Sequence, residues 1–257
     1  MNVYAFLDLD DTLFQTLPKC PPDAPLRNTA FRKDGEPLSF MTDRQTRLFE
    51  VLDAHAKVIP VTARNLDALR RVDLPFRSLA ILDFGGVILQ PDGIPDATWD
   101  SVVRPQARAV AGQLEALLAA VNEFSQRHKL GVHARIIGDF GMPLYVVMKH
   151  PDGDIAALDR LRCEFLADFD LAQFFVHANG NNLSVVPRFL GKELAVRHVL
   201  ENHLADGPRL TIGVGDSLTD VPFLRLCDFL MAPGNSQLAE ALDFACGLTK
   251  PNGDLFR

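Results

Sequence analysis

The chain alternates short apolar runs with longer stretches whose apolar residues recur every three or four positions. NVYAFLDL (2–9), KVIPVT (57–62), RSLAILDF (77–84) and RLTIGVGD (209–216) are rich in Val, Ile, Leu and Phe, as parallel strands covered on both faces tend to be. Each ends near Asp, Thr or Gly. Polar groups therefore collect at the carboxyl ends of the strands, the edge at which open α/β sheets bind ligands. TAFRKDGEPLSF (29–40) reads as a hairpin around Asp34 and Gly35 that forms a flap beside that edge, and Thr42 or Asp43 can cap a helix over 43–55.

From about Gly86 to Pro187 the pattern changes. The spacing predicts a helix from Gln106 to His128, two strands around a Gly-rich turn in GVHARIIGDFGMPLYVVMKH (131–150), a helix from Asp154 to Ala167, and two strands around an Asn/Gly turn in LAQFFVHANGNNLSVVP (171–187). Two successive helix–hairpin units imply a small domain with a mostly antiparallel sheet and its helices on one face. The chain then returns to the first pattern with a helix over 191–204, the strand at 209–216, a helix at 221–226 and a strand at 228–233. The expected fold class is α/β: a discontinuous parallel-sheet core of residues 1–85 and 188–257, with an α+β domain of residues 86–187 inserted.

Composition limits the possible partners. Of 257 residues, 47% are hydrophobic and 23% charged, and 26 basic against 33 acidic residues leave a net charge of -7. That balance argues against non-specific binding to nucleic acid or to an anionic membrane. An anionic ligand must then be held by local charge or by a metal. Cys20, Cys163, Cys227 and Cys246 are far apart, which suits reduced thiols in a cytoplasmic protein. The N-terminal apolar stretch lacks a basic flank and runs into carboxylates, so it does not read as a signal peptide, and no apolar run is long enough to span a membrane. The expectation is a soluble monomer or homodimer.

The chemistry concentrates in a few places. Asp8 and Asp10 close the first strand in FLDLDDTLF. Two carboxylates at that spacing repel one another and need a cation or a proton between them, and Mg²⁺, which prefers oxygen ligands, suits them. Thr62 in VIPVTAR, Lys192 in GKELAV, and Asp216 with Asp220 in GVGDSLTD also lie at strand ends or just before helices. Singly, each is ordinary: a cap, a solvated lysine, a turn. In combination they supply a nucleophile, a hydroxyl donor, a fixed cation and a metal cage at one sheet edge.

Through DLDDT (8–12), VTAR (61–64), Gly191-Lys192 and GDSLTD (215–220), the sequence resembles the haloacid dehalogenase superfamily of phosphohydrolases. The long insertion between the Thr62 and Lys192 motifs is similar to the type-2 cap of its Cof-like and sucrose-phosphate-phosphatase-like branch. The resemblance implies a Rossmann-like core, a cap over 86–187 and a Mg²⁺-dependent phosphomonoesterase. Asp8 would be the nucleophile that forms an aspartyl-phosphate, and Asp10 the acid and base. Asp8, Asp10, Asp216 and Asp220 would form the metal site, with Thr62 and Lys192 on the phosphoryl oxygens. Leu218 and Thr219 depart from the Gly or Asn common in that branch, Asp11 receives no role, and Thr12 steadies the turn. A phosphotransferase or mutase would use the same residues, and a phosphate- and Mg²⁺-binding regulatory protein is the reading from another class. A receiver-type signalling module is disfavoured by motif order and by the insertion.

Strand alternation adds a substrate surface. His133 and Arg135 oppose Val132, Ala134 and Ile136, while Tyr145, Val147 and Lys149 oppose Leu144, Val146 and Met148. With His177, Asn179, Asn182 and Ser184 of the second hairpin they make a polar face expected to look toward the catalytic edge. Such a face fits a hydroxyl-rich or anionic leaving group, such as a sugar phosphate. Arg64, beside Thr62, is a further candidate for touching substrate. Trp99 reads as packing or as part of the flap.

Overall fold

A computed structural model describes residues 2–204 and 207–247. The chain divides into two compact units, residues 1–94 with 192–257, and residues 95–191. In chain order the first unit begins with strand β1 (Asn2–Leu7), β2 (Gln15–Thr16), β3 (Leu26–Phe31) and β4 (Pro37–Thr42). Helix α1 (Asp43–His55), β5 (Lys57–Pro60), α2 (Leu66–Leu69), β6 (Ala80–Leu82) and β7 (Val87–Leu89) follow. The inserted unit contains α3 (Ala97–Arg127), β8 (His133–Asp139), β9 (Met142–Lys149), α4 (Ile155–Arg160), β10 (Phe174–Asn179) and β11 (Asn182–Pro187). The first unit resumes with α5 (Lys192–Asn202), β12 (Arg209–Val214), α6 (Val221–Leu224), β13 (Phe229–Met231) and α7 (Gln237–Ala245).

The core sheet has the order β13-β12-β1-β5, and every pairing within it is parallel. Because β1 lies between β12 and β5, both faces of its Ala5, Phe6 and Leu7 are buried, which is why it reads as an unbroken apolar run rather than an alternating one. The register sets Leu7 opposite Val214 and Pro60, so the residues just after these three strands emerge at one edge. RSLAILDF gives a shorter strand than its apolar length suggests. It touches β5 through a parallel bridge between Val61 and Ile81 and then turns back on itself as the antiparallel β6–β7 hairpin. Asp83, Phe84 and Gly85 make that turn with φ of 53°, 56° and 92°, a left-handed run that costs conformational energy at the two non-glycine positions. The doubling back also keeps Val87–Leu89 with the core unit.

The flap hairpin forms as β3 and β4 around Asp34 and Gly35, and Gly35 takes φ 87° in its turn. Thr42 caps α1 in a reciprocal box with Gln45. The Gln45 amide also donates to the Thr12 carbonyl at 3.2 Å and to Gln15 Oε1 at 2.6 Å, which ties this subdomain to the loop after β1.

The inserted unit is an antiparallel sheet of order β10-β11-β9-β8. Val110, Leu114, Leu117 and Val121 of α3, with Leu158 and Leu161, pack on Val146, Met148, Leu183 and Val185, so the helices cover one face. Helix α3 starts at Ala97 rather than after Pro105. Asp96 accepts from Trp99 N at 2.7 Å, Asp100 and Arg104 pair bidentately one turn on, and Trp99 and Val103 are buried. Together these hold the first turns against the hydrogen bond that Pro105 cannot make. The second helix of this unit is regular only over α4 and continues as a wider π-type turn through Leu161–Leu166. No helix among the described residues is long and apolar enough to cross a membrane.

Candidate active site

The edge where β1, β5 and β12 end carries the motif residues of the core unit. Past β1 the ladder continues, with Asp8 N donating to Val214 O at 2.9 Å and Val61 N to Leu7 O at 2.7 Å. Backbone pairing therefore fixes Asp8 between the other two strand ends. The chain then turns sharply: Asp11 takes φ 64°, its N–H donates to Phe14 O, and Leu13 N donates to Leu9 O. Buried Leu9, Leu13 and Phe14 anchor this loop, so the acidic residues between them are held by apolar packing on either side.

Asp8 is buried and bonded on both oxygens. Lys192 Nζ donates to Oδ1 at 2.6 Å and Thr12 Oγ1 lies 3.0 Å from Oδ2. Lys192 also reaches Asp220 Oδ1 at 2.7 Å, and Thr12 Oγ1 lies 3.1 Å from Asp216 Oδ1. One hydroxyl has one hydrogen, so Thr12 can donate to Asp8 or to Asp216 but not to both at once. Asp220 is locked more completely. Its Oδ2 accepts from Ser217 N at 3.1 Å and from Ser217 Oγ at 2.8 Å while Lys192 holds its Oδ1. Ligand oxygens of Asp8, Asp216 and Asp220 all lie within 4.8 Å of one another.

The electrostatics follow from this crowding. Burial pushes the Asp8 carboxyl well above the ordinary range; Lys192 pulls it down, and Asp220 and Asp216 add to the rise. Asp216 is pushed up to about 6 by burial, Asp220 and Asp11, against Thr12 and Lys192. Asp220 is the opposite case. Burial works against its charge, yet Lys192 and Ser217 outweigh burial and hold it below the ordinary range. For Lys192, burial is outweighed by Asp220 and Asp8, and its ammonium stays charged. A lysine at the first position of α5 opposes the helix dipole, so the placement makes sense only with carboxylates facing it. Three buried carboxylates around one ammonium leave an excess of negative charge, and the donors are all oxygens. That donor set fits Mg²⁺.

Glycine at 215 is required by close approach. A Cβ there would stand 2.8 Å from Asp220 Cβ, so any side chain would push Asp220 off Lys192 and Ser217.

Asp10 and Arg64 form a second arrangement. Arg64 Nε and Nη2 donate to the two oxygens of Asp10, each at 2.7 Å, and the guanidinium lies 5.0 Å from the Phe14 ring centroid. Arg64 N donates to Thr62 Oγ1 at 3.0 Å. Thr62 is buried, and the strained turn at 83–85 clasps its loop, with Phe84 N donating to Thr62 O and Asp83 N to Arg64 O.

Asp8, Thr12, Lys192, Asp216 and Asp220 are thus brought into one bonded cluster, while Asp10 of the loop after β1 meets Arg64 of the Thr62 loop after β5. Thr219 bonds Ser217 Oγ at 2.8 Å, Leu218 is exposed, and Asp11 pairs with Lys19 at 2.6 Å. The sequence reading missed three roles: Ser217 as the clamp on Asp220, Thr12 as the bridge between Asp8 and Asp216, and Arg64 as the partner of Asp10. A Ser three residues before an Asp, as in Ser217-Leu-Thr-Asp220, is a local capping-type spacing that could have signalled the first; the other two are contacts between distant segments.

In the inserted unit, Arg135 pairs with Val147, Val147 with Ser184, and Ser184 with His177, so these four form one row across the sheet. His133 pairs with Lys149 and Asn179 with Asn182. His133, Arg135 and Lys149 are exposed, and His177 and Asn182 are half-buried. The face is less polar than strand alternation suggests, because Tyr145, Val147 and Val186 on it are buried.

No family model and no curated protein sequence matches the chain. Solved structures do share its fold. A crystal structure from Eubacterium rectale, described in terms of phosphate, is 12% identical over 92% of this chain and 89% of that one, with a TM-score of 0.52. A trehalose-6-phosphate phosphatase related protein is 15% identical over 91% and 88%, with a TM-score of 0.50. The chain shares with these two structures a fold made of an α/β core with a parallel sheet and an inserted second unit.

Proposed function

We propose that the chain is a Mg²⁺-dependent phosphomonoester hydrolase that works through an aspartyl-phosphate on Asp8. The observation that carries this reading is the state of the Asp8 carboxylate, buried and held on its two oxygens by Lys192 and Thr12 with Asp216 and Asp220 beside it. Those contacts fix its orientation before substrate arrives, and fixed geometry is most of what phosphoryl transfer asks of a protein. One Asp8 oxygen attacks phosphorus in line as the bond to the leaving oxygen breaks, and Asp10 gives that oxygen its proton. Water then attacks the same phosphorus, its proton goes to Asp10, and the electron pair of the breaking bond returns to Asp8. Lys192 and the Thr62 hydroxyl hold phosphoryl oxygens, the former adding positive charge to an acidic pocket. Asp8, Asp216 and the Asp10 carbonyl would hold Mg²⁺, with Asp220 fixing Lys192 beside it; when bound, the ion neutralises charge on the phosphoryl group.

The substrate class we infer is a small phosphorylated metabolite in the cytoplasm, a sugar phosphate. Support comes from the row of Arg135, Ser184 and His177 with His133, Lys149 and Asn182 on one sheet face. The fold shared with a trehalose-6-phosphate phosphatase related protein points the same way. The test is phosphate release from a panel of sugar phosphates and an aryl phosphate, with and without Mg²⁺, by the wild type and by Asp8→Asn. Mg²⁺-dependent release that the substitution abolishes is expected. Release that survives Asp8→Asn would refute the nucleophile, and phosphate passed to an added alcohol in preference to water would mark a transferase.

A further inference from the structure

Arg64 is anchored on several sides. Its guanidinium lies over Phe14, Nη1 reaches Ala68 O at 3.4 Å, its backbone N–H donates to Thr62 Oγ1, and its carbonyl accepts from Asp83 N. Its side chain is 12% exposed, whereas that of Asp10 is 48% exposed. Of the two partners, then, Arg64 is the fixed one and Asp10 the one open to solvent. The fork-to-fork geometry, with both N···O distances at 2.7 Å, requires a carboxylate that accepts on both oxygens.

We propose that Arg64 is a positioning residue that holds Asp10 aimed for proton transfer in the second half-reaction, breakdown of the aspartyl-phosphate. The proposal rests on the phosphatase reading above. In that step the water oxygen bonds to phosphorus, the bond from phosphorus to Asp8 breaks with its electron pair returning to the carboxylate, and the water proton goes to Asp10. A carboxylate already turned by Arg64 is ready for that proton. The left-handed turn at Asp83 and Phe84 holds the Arg64 loop through hydrogen bonds from its two N–H groups to the carbonyls of Arg64 and Thr62.

The test uses p-nitrophenyl phosphate, whose leaving group departs without needing a proton, so formation of the phosphoenzyme is insensitive to Asp10. For Arg64→Ala, kcat and KM should fall together by at least about tenfold, within the ~10²–10⁴-fold that general acid–base catalysis supplies. The value of kcat/KM should hold, a burst of nitrophenol should appear, and acid-quenched protein should carry covalent phosphate. Added guanidinium ion should restore kcat. Arg64→Lys keeps the charge but not the parallel pair of bonds, and a smaller burst is expected from it; should the alanine variant not fold, this one decides, and wild-type kinetics from it would overturn the proposal. A rise in KM with no burst would also overturn it, by making Arg64 a binder of substrate phosphate. Absence of turnover by the wild type, or turnover by Asp8→Asn, would remove the phosphatase reading itself, and this inference with it.

Discussion

Replacing Asp216 with Asn should make the metal-free protein more stable at neutral pH. Asp216 is 8% exposed, and its carboxyl is pushed from an ordinary 3.8 up to about 6, by burial first and then by Asp220 and Asp11. The folded chain therefore binds a proton there more tightly than the unfolded chain does. Below about pH 4 both states are protonated and the group contributes nothing. As pH rises from about 4 to about 6 the unfolded state ionises first, and stability falls. Above about pH 6 the whole shift, roughly two pH units at ~1.4 kcal/mol each, costs about 3 kcal/mol. Asn keeps an oxygen for Thr12 and has no charge to desolvate. Thermal unfolding in a chelator should therefore show the variant melting near the wild type at pH 4 and above it at pH 8, by roughly 6–12 °C at ~2–4 °C per kcal/mol. Mg²⁺ at about 1,000 times its Kd should reverse the order, since it adds about 4.1 kcal/mol to the protein that binds it, more than the variant gained. A variant that melts below the wild type at pH 8 without metal, or a gain equal at both pH values, would refute the electrostatic account of the cluster.

Lys192→Met should have the opposite effect, because it strips the ammonium from two buried carboxylates. A loss of about 3–5 kcal/mol is expected from breaking such a pair, read by chemical denaturation at pH 7, together with loss of turnover. Gly215→Ala drives a methyl to 2.8 Å from Asp220 Cβ, and phosphate release should drop while the circular dichroism spectrum is retained. Leu117→Ala opens a cavity at a fully buried position of α3 and should cost about 2–5 kcal/mol, seen as a lower unfolding midpoint by denaturant titration.

The parallel sheet was legible because burial on both faces leaves a direct signature, and the Thr42 cap and the Asp34–Gly35 turn because they are local. The first turns of α3 were hidden by Pro105, whose cost is outweighed by the Asp96 cap, the Asp100–Arg104 pair and the buried Trp99. The shortness of β6 was hidden because a left-handed turn at Asp83 and Phe84 breaks local preference, and only the surrounding structure can impose that. At the site, residue types and order were readable, since they sit at strand ends. Which oxygen meets which donor was not: Asp8 and Lys192 are 184 residues apart, and Asp10 and Arg64 are 54 apart.

Two kinds of carboxylate now stand side by side after β1, and the contrast between them bears on how such a site can work. Asp8 and Asp216 are buried among like charges and pushed upward, so their ionisation works against folding. Asp10 is half-exposed and meets Arg64 with both of its oxygens, so a cation of the protein itself lies against it. A cluster already neutralised by protein cations would have little reason to take up Mg²⁺, and a proton-transfer group shared with the metal would lose its basicity to it. On the proposed function, keeping the two apart, with Lys192 beside one and Arg64 beside the other, would let the first gather metal and phosphate while the second handles protons. The stability lost at the cluster is tolerable because Phe6, Leu7, Leu9, Leu13 and Phe14 are fully buried around it, each contributing about 1.5–3 kcal/mol by burial.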